Sequence, residues 1–474
     1  MADQAKHLVV LGGGPGGYPA AFHAADLGFK VTLIDKNAAP GGVCLYVGCI
    51  PSKTLLHAAK LLHETSEASE MGIHFEKPKI DLDALRSYKD KVVNKLTGGL
   101  GVMAKQRNIT FIQGTGSFTG KNEITVTQEK GEQKKVSFDY AIIATGSDPT
   151  KIPAFDIGSD RVIDSTGALA LPDIPERLLV IGGGYIGLEM GTVYAALGSK
   201  VTVVEALGAL LPAADQDLVQ HLRNNLEKHF ESILVNTKVT SLTEEKDGIH
   251  VKMLGLDVQE EQEYIFDKVL ISVGRRPRSA GIGLEHTDVK VDKKGFIISD
   301  MQRRTDQENI FVIGDVAGEP MLAHKATYEA RIAVETIAGR PTSFDAQAIP
   351  AVVFTDPELA WAGLSENEAK EQGINVKIAH FPWAASGRAT TIDRNDGLTK
   401  FICDPRTDRV LGVGIVGVGA GELIAEATLA IELGARVSDI ARTIHAHPTL
   451  SETVMETAEL YFGHSPHYVE RKKK

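Results

Sequence analysis

The feature that most constrains this chain is a glycine pattern that occurs twice, 170 residues apart, and matches position by position. The first copy is Gly12-x-Gly14-x-x-Gly17, then Leu27-Gly28, then Asp35; the second is Gly182-x-Gly184-x-x-Gly187, then Leu197-Gly198, then Glu205. Apolar runs precede both copies, Leu8-Val9-Val10-Leu11 and Leu178-Leu179-Val180-Ile181, and read as buried strands. A helix-length segment follows each, then a second strand, Val31-Thr32-Leu33-Ile34 or Val201-Thr202-Val203-Val204. Strand, glycine turn, helix and a strand ending in an acid make the βαβ fingerprint of a dinucleotide site. The glycines allow a tight turn, close approach of backbone to pyrophosphate, and close helix–strand packing. The helix N-terminus offers free N–H groups to phosphate, and the acid accepts hydrogen bonds from a ribose. One such turn is weak evidence, but an accidental strand–helix turn would have to recur at the same spacing. Two dinucleotide sites point to electron traffic between two cofactors.

Composition sets the class. The chain has 474 residues, 43% of them apolar, and 47 glycines, as suits a large α/β protein of three or four domains with many tight turns. No apolar run reaches membrane-spanning length. Six residues precede the first strand, so no signal or transit peptide is expected. A net charge of −11 argues for solubility and against a nucleic-acid surface. The basic ending Arg471-Lys472-Lys473-Lys474 reads as a frayed terminus.

There are three cysteines, and two of them lie five apart in Gly41-Gly42-Val43-Cys44-Leu45-Tyr46-Val47-Gly48-Cys49-Ile50-Pro51-Ser52-Lys53. Their position just after the first βαβ start puts them near its cofactor. On an ideal helix their Cα atoms would be roughly 8–9 Å apart, whereas a disulfide needs about 4.4–6.8 Å. A bridge therefore requires a distorted segment, and Gly48 is placed to provide it. Two thiols alone do not complete a zinc shell. Two small buried residues are the plain alternative. So few cysteines, with no disulfide framework, fit a reducing compartment, and the cytoplasm is expected.

This segment resembles the redox-active disulfide of the flavin-dependent pyridine nucleotide–disulfide oxidoreductases, and its ending, Cys-Ile-Pro-Ser-Lys, is most similar to the branch that oxidises dihydrolipoamide. The resemblance runs over essentially the whole chain. Val43 and Tyr46 replace a commoner Thr and Asn, and Pro19 early in the first helix is also unexpected. The implied fold is α/β, with two Rossmann-like domains and a C-terminal α+β dimerisation domain. The implied boundaries are 1–149 for the FAD domain with the disulfide and 150–274 for the NAD domain. Residues 275–345 would complete the FAD site, and 346–474 would form the interface. For FAD the resemblance assigns Gly12, Gly14, Gly17, Asp35, Lys36, Lys53, Gly116, Thr145, Gly146, Asp315 and Ala323. For the NAD side it assigns Gly182, Gly184, Gly187, Glu189, Glu205, Val239, Gly274 and Arg275. No metal is expected.

A thiol–disulfide enzyme needs a base to generate thiolate, and histidine is the default. The segment Ile444-His445-Ala446-His447-Pro448-Thr449-Leu450-Ser451-Glu452 offers two. The residues alone leave His445 and His447 open. The family's His-Pro-x-x-x-Glu spacing selects His447, with Glu452 orienting the ring. In the family this base reaches the disulfide of the other subunit, which implies a homodimer.

The resemblance also implies a reaction. His447 of the partner subunit deprotonates a dihydrolipoyl thiol, and the thiolate attacks Cys44. The second substrate thiolate releases lipoamide and leaves Cys49 as a thiolate against the flavin. Electrons then pass through FAD to NAD⁺. Lys53 and Glu189 form the family's ion pair near the flavin. Glu205 would repel a 2′-phosphate, and Ala206-Leu207-Gly208 supplies no arginine to hold one, so NAD is favoured over NADP. The implied partners are lipoyl domains of 2-oxoacid dehydrogenase E2 subunits, with the glycine-cleavage H protein as a further client. Two other readings stay open: a structural flavoprotein subunit of a complex, and an NADH-dependent reductase of another small disulfide.

Overall fold

Runs such as Leu8–Leu11 have no polar face, so they are stable only where both faces of a sheet are covered. The computed structural model, which describes residues 5–469, places them so; the Arg471–Lys474 run lies outside the described residues. The first sheet has five parallel strands in the order Ile310–Val312, Tyr140–Ile143, His7–Leu11, Lys30–Asp35, Thr110–Gln113. The second also has five parallel strands, Ser232–Leu234, Lys200–Val204, Arg177–Ile181, Lys268–Ile271, Val162–Ile163. The repeat seen in sequence holds in register: His7 pairs with Lys30 and Arg177 with Lys200. The helices after the turns are Gly17–Asp26 and Tyr185–Leu197.

The chain leaves the first sheet after Tyr140–Ile143, builds the second, and returns with Ile310–Val312. The outgoing strand Ser147–Pro149 and the returning strand Arg275–Pro277 pair antiparallel, so the crossing is a two-stranded ribbon. Two three-stranded antiparallel sheets flank the parallel ones. The C-terminal part is a five-stranded antiparallel sheet, from Ala351–Val353 to Val410–Gly417, backed by helices Ala420–Glu432 and Glu452–Tyr461. It is fastened to the second parallel unit by the buried Lys400. That ammonium bonds Asp215 at 2.8 Å and Asp217 at 3.1 Å, and also meets Glu366.

Two of the unexpected residues, Pro19 and Tyr46, have local explanations. Pro19 lies in the first helical turn, and its missing N–H would leave Pro15 O without a donor; the Thr327 hydroxyl supplies one at 2.8 Å. Tyr46 packs over the Gly41 turn and donates its hydroxyl to Ala39 O at 3.1 Å.

Candidate active site

Both glycine turns are built alike. Gly12 and Gly182 have φ of +106° and +112°, and a Cβ there would meet the backbone oxygens of Ala144 and Ser272. A Cβ on Gly17 or Gly187 would strike the oxygen of Gly12 or Gly182, because the helix rides directly on the turn. A Cβ on Gly14 would find only Gly42 Cα, at 3.9 Å, and one on Gly184 would find nothing within 4 Å. These two positions are open for a phosphate to approach. Neither helix carries an acid in its first turn, so its free N–H groups suit an anion. The terminal acids also match. Asp35 accepts from Gly13 N at 2.6 Å and Glu205 from Gly183 N at 2.7 Å. The fingerprint does not name Gly13 and Gly183. Yet a Cβ there would meet Asp35 at 3.1 Å or, at Gly183, Leu210 at 2.6 Å.

The first turn opens into a cavity of about 460 Å³. Gly12, Gly14, Asp35, Lys36, Lys53, Gly116, Thr145, Gly146, Asp315 and Ala323 all line it, together with Cys44 and Cys49. Gly17 lies behind the wall, where it packs the helix. At the ribbon, Asp315 accepts from Ser147 Oγ at 2.5 Å, and Arg275 donates to the same Oγ at 2.7 Å. A cavity edged by one glycine turn, the carboxylates of Asp35, Glu189 and Asp315, and the side chains of Lys36 and Lys53 fits a dinucleotide with a polar sugar chain.

The cysteines stand at this cavity because their segment breaks. Helix Gly42–Val47 ends at Gly48, whose φ and ψ of −143° and −118° are not helical, and a new helix, Cys49–Glu67, starts at the next residue. A Cβ on Gly48 would lie 2.8 Å from Val43 O, so only glycine fits this break. Both cysteines are thiols here, and they share a hydrogen bond. Cys49 is exposed to the cavity rather than to the outer surface. The bond donated by Cys44 lowers the Cys49 thiol to about 7 against the opposing effect of burial, and the Lys53 charge assists. Cys44 is driven far above the ordinary thiol range, first by donating a hydrogen bond to Cys49 and then by burial. Both effects work in one direction, easing ionisation of Cys49 and opposing that of Cys44. A position at a helix N-terminus favours a Cys49 thiolate further.

Glu189 Oε2 meets Lys53 Nζ at 2.8 Å and Ser52 Oγ at 2.9 Å, and its side chain is only 3% exposed. Glu189 and Arg275, expected on the nucleotide side of the second unit, also line the first cavity. Gly182, Gly184, Gly187, Glu205 and Gly274 do not line it; they stand at the second sheet. Val239 is 5% exposed and belongs to that unit's core, so its side chain serves packing. Tyr185, Arg278 and Ser147 are site-lining residues that motif reasoning did not assign. Tyr185 directly follows Gly184, so its place in the turn was a usable signal.

His447 Nδ1 bonds Glu452 Oε1 at 2.8 Å, and Glu452 Oε2 accepts from Thr449 N at 2.8 Å. Burial works against the Glu452 carboxylate, but these bonds hold it below its usual range. The His447 side chain is 70% exposed. The rival His445 is tucked in, 5% exposed, against Glu426 at 2.8 Å. Of the two, only His447 can present a free ring nitrogen to a substrate. Neither His447 nor Glu452 lines the cavity of its own chain.

Residues 6–330 match the family described as pyridine nucleotide-disulphide oxidoreductase, and 349–458 match its dimerisation domain. The chain is 49% identical over 464 residues to a dihydrolipoyl dehydrogenase of Vibrio parahaemolyticus, covering 98% of this chain and 97% of that one. It is 47% identical to that of Thermus scotoductus, with 98% and 99% covered. Among solved structures, LpdA from Mycobacterium tuberculosis superposes with a TM-score of 0.88 at 26% identity, covering 96% of this chain and 99% of that one. The HOCl-induced flavoprotein disulfide reductase RclA from Escherichia coli, as its Cu(II) complex, gives 0.86 at 28%, with 97% and 100% covered.

Proposed function

Since this chain belongs to the pyridine nucleotide-disulphide oxidoreductases, we propose that it oxidises dihydrolipoyl groups to lipoyl disulfides and reduces NAD⁺, as a dihydrolipoyl dehydrogenase. The observation that carries this reading is the Cys44–Cys49 pair, set across the Gly48 helix break on the wall of the first dinucleotide cavity, beside the Lys53–Glu189 ion pair.

The family resemblance and the geometry together support the following roles. Cys44, held as the neutral thiol in the reduced pair, is the interchange sulfur that takes and releases substrate. Cys49 holds the thiolate, and Lys53 supplies the nearby positive charge. The residues lining the first cavity would hold FAD, which supplies two-electron redox chemistry between the thiols and a nicotinamide. Asp35 would hold the adenosine ribose and Asp315 the ribityl chain. Glu205 would hold the ribose of NAD⁺. His447 would take the substrate proton, with Glu452 fixing its tautomer. Because His447 is exposed and away from its own chain's cavity, we place it against the disulfide of a second copy. Exposed apolar side chains in this part of the chain, Ile444 at 96% and Leu433 at 75%, suit such a contact. The segment boundaries 1–149, 150–274, 275–345 and 346–474 are our division of the chain.

We assign its protein partners as the lipoyl domains of 2-oxoacid dehydrogenase E2 subunits, with the glycine-cleavage H protein a further client, and its place as the cytoplasm. No helix among the described residues is long and apolar enough to cross a membrane. Steady-state oxidation of dihydrolipoamide with NAD⁺ or NADP⁺, and reduction of oxidised glutathione with NADH or NADPH, test the reading. Dihydrolipoamide with NAD⁺ should dominate. Equal turnover of glutathione would favour reduction of another small disulfide instead.

A further inference from the structure

The redox helix Cys49–Glu67 and the Glu189 helix both meet a residue that the chemistry above leaves unused. Phe354 directly follows the strand Ala351–Val353, within the stretch that matches the dimerisation domain. Its backbone N–H donates to Glu189 Oε1 at 3.1 Å. Its ring lies under the Lys53 ammonium, 4.4 Å from centroid to Nζ. One residue thus engages both members of the Lys53–Glu189 pair, through two different groups. We propose that Phe354 is a positioning residue for the redox centre, its ring and N–H holding the Lys53 ammonium and the Glu189 carboxylate so that the lysine charge stays directed at Cys49.

Lys53 follows Cys49 by four residues on one helix, so the two side chains share a face. The lysine stem is a flexible rotor, and its side chain is one-third exposed. Glu189 alone would draw the ammonium toward itself and away from the sulfur. An aromatic face against the ammonium adds an attraction with a fixed place. The Phe354 N–H fixes the carboxylate that competes for it. The charged and titratable groups that face Cys49 are Cys44, Lys53, Glu189 and Tyr185. Lys53 is the cation among them, so its location bears directly on the thiolate. The contact also ties the C-terminal sheet to the redox helix, at the point where an electron-carrying thiolate must form.

The inference rests on the redox reading of Cys44 and Cys49, and the test separates the two. In the Cys44→Ser holoenzyme, the thiolate–flavin absorbance band and the rate of iodoacetamide labelling at Cys49 are each followed against pH. Phe354→Leu, Phe354→Met and Phe354→Tyr are added to that parent. Leucine and methionine fill the space without a π face, and tyrosine keeps one. We expect Leu and Met to raise both midpoints by about half a unit to one unit, and Tyr to restore the parent values. Coincident midpoints in parent, Leu and Met proteins, or a shift in Tyr equal to that in Leu, would overturn the proposal. If the parent shows no band, the assignment of Cys49 as the flavin-facing thiol fails, and the labelling midpoints still decide the role of Phe354. Should the Leu protein not fold, Met carries the same comparison.

Discussion

At the residue scale, the asymmetry of two thiols does most to define the site. Cys49, lowered to about 7, gains charge as pH rises through that value. The thiolate–flavin band of the two-electron-reduced protein should therefore fade as pH falls below about 7. Cys49→Ser should abolish the band at any pH. Cys44→Ser should show it without added reductant, because a lone thiolate then faces the flavin. Absence of that band in Cys44→Ser near neutral pH would reverse the two assignments. Glu205 governs the other end of the electron path. Its carboxylate already binds Gly183 N and Leu207 N, so a second anionic group beside it is unfavourable. Glu205→Ala should narrow the preference for NAD⁺ over NADP⁺, read as the ratio of kcat/KM values. An unmodified protein that used both equally would remove this residue from the specificity argument.

At the scale of elements, the glycine turns separate structural from ligand-facing positions, although the pattern writes both as Gly. Gly187→Ala pushes a methyl to 2.3 Å from Gly182 O. Overpacking of this kind costs about 1–3 kcal/mol, and a thermal melt should show it. Gly184→Ala meets no protein atom within 4 Å. As a cap substitution it should cost about 1 kcal/mol or less. It should still raise KM for NAD⁺ by about tenfold, close to 1.4 kcal/mol, since the methyl occupies the approach to the phosphates. A Gly184→Ala protein with native KM would place the pyrophosphate elsewhere. The break at Gly48 is a feature of the same kind. The sequence offered a glycine between two cysteines, and the structure uses it to end one helix and start another, so the thiols meet.

At the scale of the whole molecule, two connections test the architecture. Lys400, 1% exposed in a cage of Asp215, Asp217 and Glu366, joins the C-terminal sheet to the second nucleotide unit. Lys400→Met leaves the buried Asp215 without its cation, beside the more exposed Asp217 and Glu366, and should cost about 1–3 kcal/mol, measured by denaturant unfolding. An unchanged midpoint would show that the cage does not hold the units together. The second connection is between copies. His447→Ala should cut dihydrolipoamide turnover by about 10²–10⁴-fold and leave FAD content intact. A mixed dimer of His447→Ala and Cys44→Ser chains keeps one site with both residues and should recover about half of native turnover, if base and disulfide come from different copies as in a paired general-base site. Mixed dimers that form yet stay inactive would return both residues to a single chain.

Much of this was legible in the sequence because it is local. Strand hydrophobicity, glycine turns and the acids at strand ends repeat at fixed spacing, so both nucleotide turns and their helices could be read from one line of text. The cysteine pair and its neighbouring lysine lie within one short segment for the same reason. The choice between His445 and His447 needed a family spacing, and burial then gave it a physical basis. Other features were invisible because they join residues far apart in the chain. Phe354 touches Lys53 and Glu189, Arg275 and Asp315 share Ser147, and Lys400 gathers carboxylates from two units. Which strands lie side by side, and therefore which distant side chains share one cavity, depends on long-range packing that no local pattern encodes. By itself the sequence determined the chemistry available to this protein; the tertiary structure decided which charges and rings stand around it.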